Sequence, residues 1–159
     1  MRTPVVQLAV TPHAHSAFRT RRIQSQGASE SECLMERRIE IDERWRRVEV
    51  TFTGPVTFQD RIDAMDVVCP MLVERGLTRV LIDYSHAWVD EPTVETFEKL
   101  DDRIRNEPSF KSCWIALVNP PDFHATPTED IGVDLGFPVR RFHNRQAAVE
   151  WLESQLSPV

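Results

Sequence analysis

Hydrophobic and polar residues alternate in two short segments of the chain, residues 36–42 and residues 47–53. The first segment carries isoleucines at alternate positions, and the second carries two valines and a phenylalanine in the same way. A period of two is typical of strands with one buried face. The four residues 43–46 between the segments are enough for a tight turn, so the pattern predicts an antiparallel hairpin.

A helical period follows between Thr57 and Gly76. Apolar residues recur there at spacings of three and four, which predicts one buried helix face: Phe58, Ile62, Met65, Cys69 and Leu72. Thr57 and Asp60 form a near capping box, and Gly76 stands where a left-handed C-terminal cap is expected. Pro70 removes one internal hydrogen bond, so we expect a kink in this helix.

Two continuous apolar runs, residues 80–82 and residues 113–118, predict strands that are covered on both faces. Between them, Pro92 occupies the first turn of a predicted helix that ends near Asn106. The first of the two runs is the central strand of the predicted sheet. Its carboxyl end is where an open α/β sheet places a site.

The last part of the chain predicts a helix, a strand and a second helix. A capping box at Thr126 begins the first helix, which ends by Gly136, and a brief strand covers residues 139–142. Asn144 caps the final helix, whose buried stripe is Ala148, Trp151, Leu152 and Leu156. The whole order predicts an α/β fold: a mixed sheet with an N-terminal antiparallel hairpin, followed by parallel strands and covering helices.

Residues 1–34 differ from the rest in composition. Their four arginines and two glutamates give a net charge of +2. Because the whole chain carries −6, residues 35–159 carry −8. The segment has too few apolar residues to build a core, so we predict a disordered tail before a single domain at residues 35–159. Because Met35 directly precedes the patterned part, an alternative hypothesis places the native start there.

Charge and cysteine usage exclude several classes of protein. The acidic domain argues against nucleic acid or an anionic membrane as the main partner. The three cysteines, Cys33, Cys69 and Cys113, are widely spaced without a C-x-x-C motif, which argues against a zinc site or a disulfide framework. No apolar run approaches the about 18 residues of a membrane span. We therefore expect a cytoplasmic protein without a metal or other cofactor.

Three stretches carry a resemblance to a known family: RIEIDERWRRVEVTFTGPVTFQD, RVLIDYSHAWVDEPTVETF and VRRFHNRQAAVEWLES. Through them residues 36–156 resemble the SpoIIAA-like branch of the STAS (sulfate transporter and anti-sigma-factor antagonist) superfamily, which is sometimes grouped with SEC14-type lipid-binding domains. The resemblance implies a bacterial-type, non-enzymatic regulatory domain that binds a protein partner.

The resemblance also concerns the turn after the central strand. In the anti-sigma-factor antagonists this turn carries a serine that is phosphorylated to release a partner. The matching position here is Glu91, within Asp90-Glu91-Pro92-Thr93, so the phosphorylation switch is not carried over. Thr93 and Ser85 remain hypothetical phosphate acceptors, and a structural role for Thr93 is the simpler interpretation.

The predicted site is the loop after the central strand, with these candidate residues: Asp83, Tyr84, Ser85, His86, Trp88, Asp90, Glu91 and Thr93. An exposed Trp88 beside Val89 would form an apolar patch of the kind that binds partners. The alternative is that Trp88 folds back over the sheet edge. We assign no catalytic residue, because Ser85 and His86 are sequence neighbours and no oxyanion loop surrounds them.

Three functions remain open. The leading hypothesis is a regulatory or protein-interaction module that uses this loop as its contact face. The alternative is a carrier of a small apolar ligand or lipid, with a pocket between the sheet and the helix after Pro92, as the SEC14 kinship implies. A weaker alternative is a metal-assisted hydrolase that uses His86 and Asp90 with a distant His124 or His143.

Overall fold

The computed structural model of the protein describes residues 34–155, and for residues 123–127 it describes the backbone alone. The elements of the described part, in chain order, are β1 (Glu36–Asp42), β2 (Arg47–Val56), α1 (Phe58–Arg75), β3 (Arg79–Val89), α2 (Val94–Arg105), a 3₁₀ helix (Pro108–Ser112), β4 (Trp114–Val118), α3 (Asp122–Leu135), β5 (Val139–Phe142) and α4 (Arg145–Ser154). The predictions for the tail and for Leu156 lie outside the described residues.

The five strands of the described part form one sheet in the order β1-β2-β3-β4-β5. β1 and β2 are antiparallel, and the other neighbouring pairs are parallel. The carboxylate of Asp42 accepts hydrogen bonds from the backbone amides of Arg44 and Trp45 at 3.1 and 3.2 Å, which holds the hairpin turn. The predicted hairpin and the predicted α/β fold class are therefore confirmed.

The helices cover the two faces of the sheet unequally. α1, α2 and α3 pack on one face, over a large core that contains Val48, Phe52, Val80, Ile115 and Leu117 from the strands. Of the described helices, α4 packs on the other face, over a smaller cluster: Leu81, Ala116, Val118, Ala148 and Leu152. The predicted stripe of α4 is only partly buried, because Trp151 lies at the rim of this cluster, 5.9 Å from Trp114 between ring centroids.

Local side-chain chemistry fixes the ends of α1. The hydroxyl of Thr57 accepts from the backbone amide of Asp60 at 3.1 Å, and the carboxylate of Asp60 accepts from the amide of Thr57 at 2.8 Å. Gly76 has a φ of 59°, the left-handed conformation that favours glycine. The capping box and the glycine cap are confirmed, and α1 continues through Pro70.

α3 begins earlier than the sequence predicts. Asn119, with a φ of 48°, donates its amide to the carbonyl of Phe142 at 2.8 Å and turns the chain directly into a helix at Asp122. His124, which was expected in a loop, therefore lies in the first turn of α3. The capping box at Thr126 was a wrong start: the contact at Asn119 fixes the direction of the chain, and the helix begins at Asp122, four residues before Thr126.

Gly132 in α3 marks a close approach between this helix and the connection to β5. A Cβ atom at this position would lie 2.6 Å from the carbonyl oxygen of Phe137 and 2.8 Å from Cγ2 of Val139. Both distances are shorter than van der Waals contact, so only glycine fits without a shift of the helix.

Glu107, between α2 and the 3₁₀ helix, is held by several donors. Its carboxylate accepts from the backbone amide of Ser109 at 3.1 Å, from the Ser109 hydroxyl at 2.6 Å and from Arg103 at 2.6 Å. Desolvation raises the pKa of Glu107, but the hydrogen bonds from Ser109 and Arg103 outweigh it and lower the pKa from 4.5 to about 2.

We expect Gly132→Ala to destabilise the protein by about 1–2 kcal/mol. Overpacking costs about 1–3 kcal/mol, and the contact with a backbone oxygen places this position in the upper half of that range. Alanine offsets about 1 kcal/mol of this cost through its helix propensity. Chemical denaturation measures the free energy of unfolding. Val133→Ala is the matched control, because Val133 is the next residue and is 82% exposed. A Gly132→Ala protein as stable as the wild type would contradict the close approach.

The second prediction concerns the pH dependence of stability. A carboxylate whose folded pKa is depressed stabilises the protein above its unfolded pKa, and this contribution is lost as the pH falls towards the folded value. Between pH 4.5 and about 2, the wild type should therefore lose more stability than Glu107→Gln, which should already be less stable at neutral pH. Denaturation series at several pH values test this, with the exposed Glu98→Gln as control. Parallel curves for wild type and Glu107→Gln would refute it.

Candidate functional site

β3 is longer than the sequence predicts, and its second half has only one neighbouring strand. β4 pairs with β3 from Arg79 to Asp83, whereas β2 stays paired with it up to Val89. Residues 84–89 therefore form a two-stranded extension with the end of β2. Within the described chain, β2 provides the only strand partner of this extension.

The predicted loop is thus largely a strand. The candidates Asp83, Tyr84, Ser85, His86 and Trp88 all belong to β3, and the irregular segment is limited to residues 90–93. The second segment of the predicted hairpin was expected to end at residue 53, directly before Gly54-Pro55. A register shift between Thr51 and Thr53 lets the ladder continue through both residues instead.

The inward side chains of the extension are Tyr84, Ala87 and Val89, because the register shift interrupts the regular alternation of the strand between Tyr84 and Ala87. Tyr84 is 3% exposed and stacks on Phe52 with 5.3 Å between ring centroids. Ala87 and Val89 pack against the same core. Trp88 points the other way and is 51% exposed, so it does not fold back over the sheet.

The exposed residues at the end of β3 continue into the start of α2. Together we call the following residues the rim surface: His86, Trp88, Asp90, Glu91 and Val94, all of them exposed. The hydroxyl of Thr93 accepts from the backbone amide of Thr96 at 3.3 Å and caps α2. Thr93 therefore has the structural role that was the simpler interpretation of the sequence.

Ser85, His86 and Asp90 do not form a catalytic arrangement in the described part of the chain. The hydroxyl of Ser85 accepts from the side-chain amide of Asn119 at 3.0 Å, and no hydrogen bond between described residues joins it to His86. Among the described side chains, no group of three histidines, cysteines or carboxylates is close enough to hold a metal ion. The side chain of His124 lies outside this description.

A cluster of charged residues on the α4 face was missed by the sequence analysis. Asp83 accepts from the amide of Ser85 at 2.8 Å and from Arg145 at 3.2 Å, and Arg145 also pairs with Glu49. Glu49 in turn pairs with the buried Arg47 at 2.6 Å. Arg145 lies 62 residues from Asp83 and 96 residues from Glu49 along the chain, so no local pattern could predict these two pairs.

A cavity of about 60 Å³ lies on the other face, between the sheet and the helices α1, α2 and α3. Most of its lining is aliphatic or aromatic. The polar exceptions among the described lining residues are Arg61, Tyr84 and Thr128, each of them buried. Leu100 and Ile104 of α2 line it as well, so the cavity lies where the sequence analysis placed a pocket.

Arg61 is the charged group of this cavity. Its side chain is 5% exposed, and its guanidinium lies 4.4 Å from the ring centroid of Phe58 and donates a hydrogen bond to the hydroxyl of Tyr84. Burial lowers the pKa of Arg61 and raises the pKa of Tyr84, and the contact between the two opposes both changes. The burial of Arg61 was not predicted, because a polar residue in an amphipathic helix is expected to face solvent. Tyr84, a candidate for the loop, is part of the core.

No helix in residues 34–155 is long and apolar enough to cross a membrane.

Comparisons with known proteins find likenesses in fold. No family model and no curated protein matches the chain. An uncharacterized protein from the DUF3478 family of Shewanella loihica PV-4, with a SpoIIAA-like fold, is 16% identical and has a TM-score of 0.49, covering 79% of this chain and 99% of its own. The anti-sigma factor antagonist SpoIIAA in its unphosphorylated form is 13% identical with a TM-score of 0.46, covering 74% of this chain and 97% of its own.

The Bacillus cell fate determinant SpoIIAA in the phosphorylated form gives the same identity, 13%, and the same TM-score, 0.46, over 74% of this chain and 99% of its own. The mixed sheet and element order described above agree with the SpoIIAA-like architecture that the sequence resemblance implied. At these values the likeness to solved structures concerns the fold and says nothing about what this chain binds.

The charged cluster on the α4 face leads to a third prediction. Arg145→Met removes the cationic partner of Asp83 and Glu49, whose side chains are 10% and 12% exposed. Leaving buried carboxylates with fewer partners should cost about 1–3 kcal/mol in the free energy of unfolding. Arg105→Met is the control, because its partners Asp101 and Asp134 are more exposed, and it should cost less than about 1 kcal/mol. Equal losses in the two variants would refute the role of the cluster.

Proposed function

We propose that the protein is a non-enzymatic regulatory or interaction domain that binds a protein partner through the rim surface. The observation that carries this proposal is the half-exposed Trp88 on a strand that β2 holds in place. Tryptophan dominates the energetics of many protein interfaces, since it buries a large area with few rotatable bonds. The backbone of a paired strand is already ordered, so a partner that binds Trp88 causes little loss of backbone conformational entropy.

Charge favours a partner with basic residues. The rim surface carries the carboxylates of Asp90 and Glu91, and the domain as a whole is acidic. Opposite charges across an interface increase the rate of association and discriminate between partners. Glu91 also supplies a permanent negative charge at the position where the resembling family carries its phosphorylated serine. Because phosphorylation of that serine releases the partner in the family, Glu91 does not act here as a substitute phosphate, and the proposed role of its charge is to pair with basic residues of the partner. The proposal places the protein in the cytoplasm.

The double variant Trp88→Ala/Glu91→Ala tests this function. We compare proteins captured from native cells by the tagged wild type, by the double variant and by Val133→Ala, which removes an exposed apolar side chain elsewhere. The double variant should lose a partner that the other two retain, because truncating an interface hot spot costs about 2 kcal/mol or more, roughly 30-fold in affinity. Circular dichroism checks that all three fold. Identical sets of captured proteins would refute the proposal.

A second candidate function is the binding of a small ligand in the cavity under α2. The specific observation in its favour is a cavity whose described lining is mostly apolar, with the buried Arg61, Tyr84 and Thr128 as its polar residues. The volume of about 60 Å³ is about four to six times the room that one buried water needs, and about 150 Å³ suffices for benzene. This volume does not suit a long acyl chain, so the proposed ligand is a small molecule. Native mass spectrometry of freshly isolated protein should show a small bound species, and a clean ligand-free mass would count against this function.

A further inference from the structure

The second half of β3 has an unpaired side within the described part of the chain. Beyond Asp83 β3 is not paired with β4, and no described residue forms a backbone hydrogen bond with residues 86–89 on that side. We call this side of residues 86–89 the open edge. A strand that is held on its other side keeps its backbone N–H and C=O groups in position, so a further strand can join it by backbone hydrogen bonds.

The open edge lacks the protection that the two outer strands of the sheet have. In β1 five of the seven residues are charged, and β5 has only four residues, two of them arginines. Charged side chains and short length hinder the pairing of an edge strand with another strand. Residues 86–89 read His-Ala-Trp-Val, without proline, lysine, arginine or a carboxylate, and Trp88 is 51% exposed. The sequence of the open edge therefore favours pairing with a further strand.

The N-terminal segment, residues 1–33, joins the described structure at the same end of the sheet. Glu36 at the start of β1 pairs with Thr53 in β2, and Thr53 pairs with His86 in β3. A strand at the open edge would lie three strand spacings from β1, about 15 Å. A flexible linker as long as residues 11–33 spans about 25 Å on average. The first ten residues of the same chain can therefore reach the open edge.

The composition of the N-terminal segment suits the open edge. Residues 5–10 read VVQLAV, lie between Pro4 and Pro12, and include three valines, which favour strands. Residues 1–29 hold four arginines and no carboxylate side chain, whereas the rim surface carries the carboxylates of two residues. Opposite charges favour this segment as the occupant, and a second copy of the acidic domain would instead be repelled.

On this basis we infer that residues 5–10 pair with the open edge of their own chain as a sixth strand and cover Trp88. In its regulatory meaning the inference rests on the proposed function, because the N-terminal segment then occupies the rim surface and a partner has to displace it. A tethered segment competes at an effective concentration of about 1 mM. The segment therefore excludes weak partners and admits those that bind the rim surface tightly.

Hydrogen exchange of the full 159-residue chain, followed residue by residue by NMR, tests the docking without any partner. The test variant is Gln7→Pro/Leu8→Pro. Adjacent residues of a strand direct their N–H groups to opposite sides, so one of the two prolines removes a donor towards β3 in either register. Amides of residues 86–89 on the open edge should exchange about fivefold or more faster in this variant than in the wild type.

The matched control is Gln24→Pro/Ser25→Pro, which introduces two prolines into the linker and should exchange as the wild type does. In the wild type, added salt should also speed exchange at the open edge, because it screens the attraction between the arginines and the acidic domain. In the capture experiment, Gln7→Pro/Leu8→Pro should retain several-fold more of the partner than the wild type or the control.

The outcomes separate the inference from the proposed function. Equal exchange of residues 86–89 in the wild type and in Gln7→Pro/Leu8→Pro overturns the inference. Protection that rises with protein concentration, together with a dimer in sedimentation equilibrium, overturns it too, because the segment then joins a second copy. If a partner depends on Trp88 while the prolines change neither exchange nor capture, the inference alone fails. If the prolines speed exchange but no captured protein depends on Trp88, the docked segment stands and the proposed function fails.

Discussion

Parallel pairing between β2 and β3 organises this molecule. As far as Asp83, β3 is paired with β2 on one side and with β4 on the other. Beyond Asp83, β2 is its only strand partner in the described part of the chain. The first half of β3 builds the core. In the second half, the register shift places one extra residue of β3 against β2 and reverses the alternation of side chains between the two faces. One strand therefore places Tyr84 in the cavity and Trp88 on the rim surface, only four residues apart in the chain. Both proposed binding sites depend on this pairing.

The two faces of the sheet use buried charge differently. On the α4 face, Arg47 and Arg145 pair with carboxylates, and these pairs fix how α4 lies against β2 and β3. Replacing buried ion pairs with apolar residues is often neutral for stability, so such pairs specify an arrangement more than they stabilise it. On the opposite face, Arg61 lies among apolar side chains and a tyrosine. There Arg61 is the charged residue among the described residues that line the cavity.

Local features of the fold could be predicted from the sequence, and features that depend on distant residues could not. The box of Thr57 and Asp60 and the cap at Gly76 follow from the chemistry of neighbouring residues. The extension of β3 depends on its pairing with β2 through a register shift, which no period in the sequence reveals. For the same reason five of the eight candidate residues, Asp83, Tyr84, Ser85, His86 and Trp88, were expected in a loop and lie in a strand. The burial of Arg61 depends on three helices and a sheet, and helical periodicity alone assigns it to solvent.

The order of the strands in the sheet equals their order along the chain. Each strand made during synthesis can therefore join the edge formed by the strand before it, beginning from a hairpin whose contacts are local. No strand has to be inserted between two that are already paired. The sheet can thus grow in one direction as the chain leaves the ribosome, and the last helix closes its second face only when the sheet is complete.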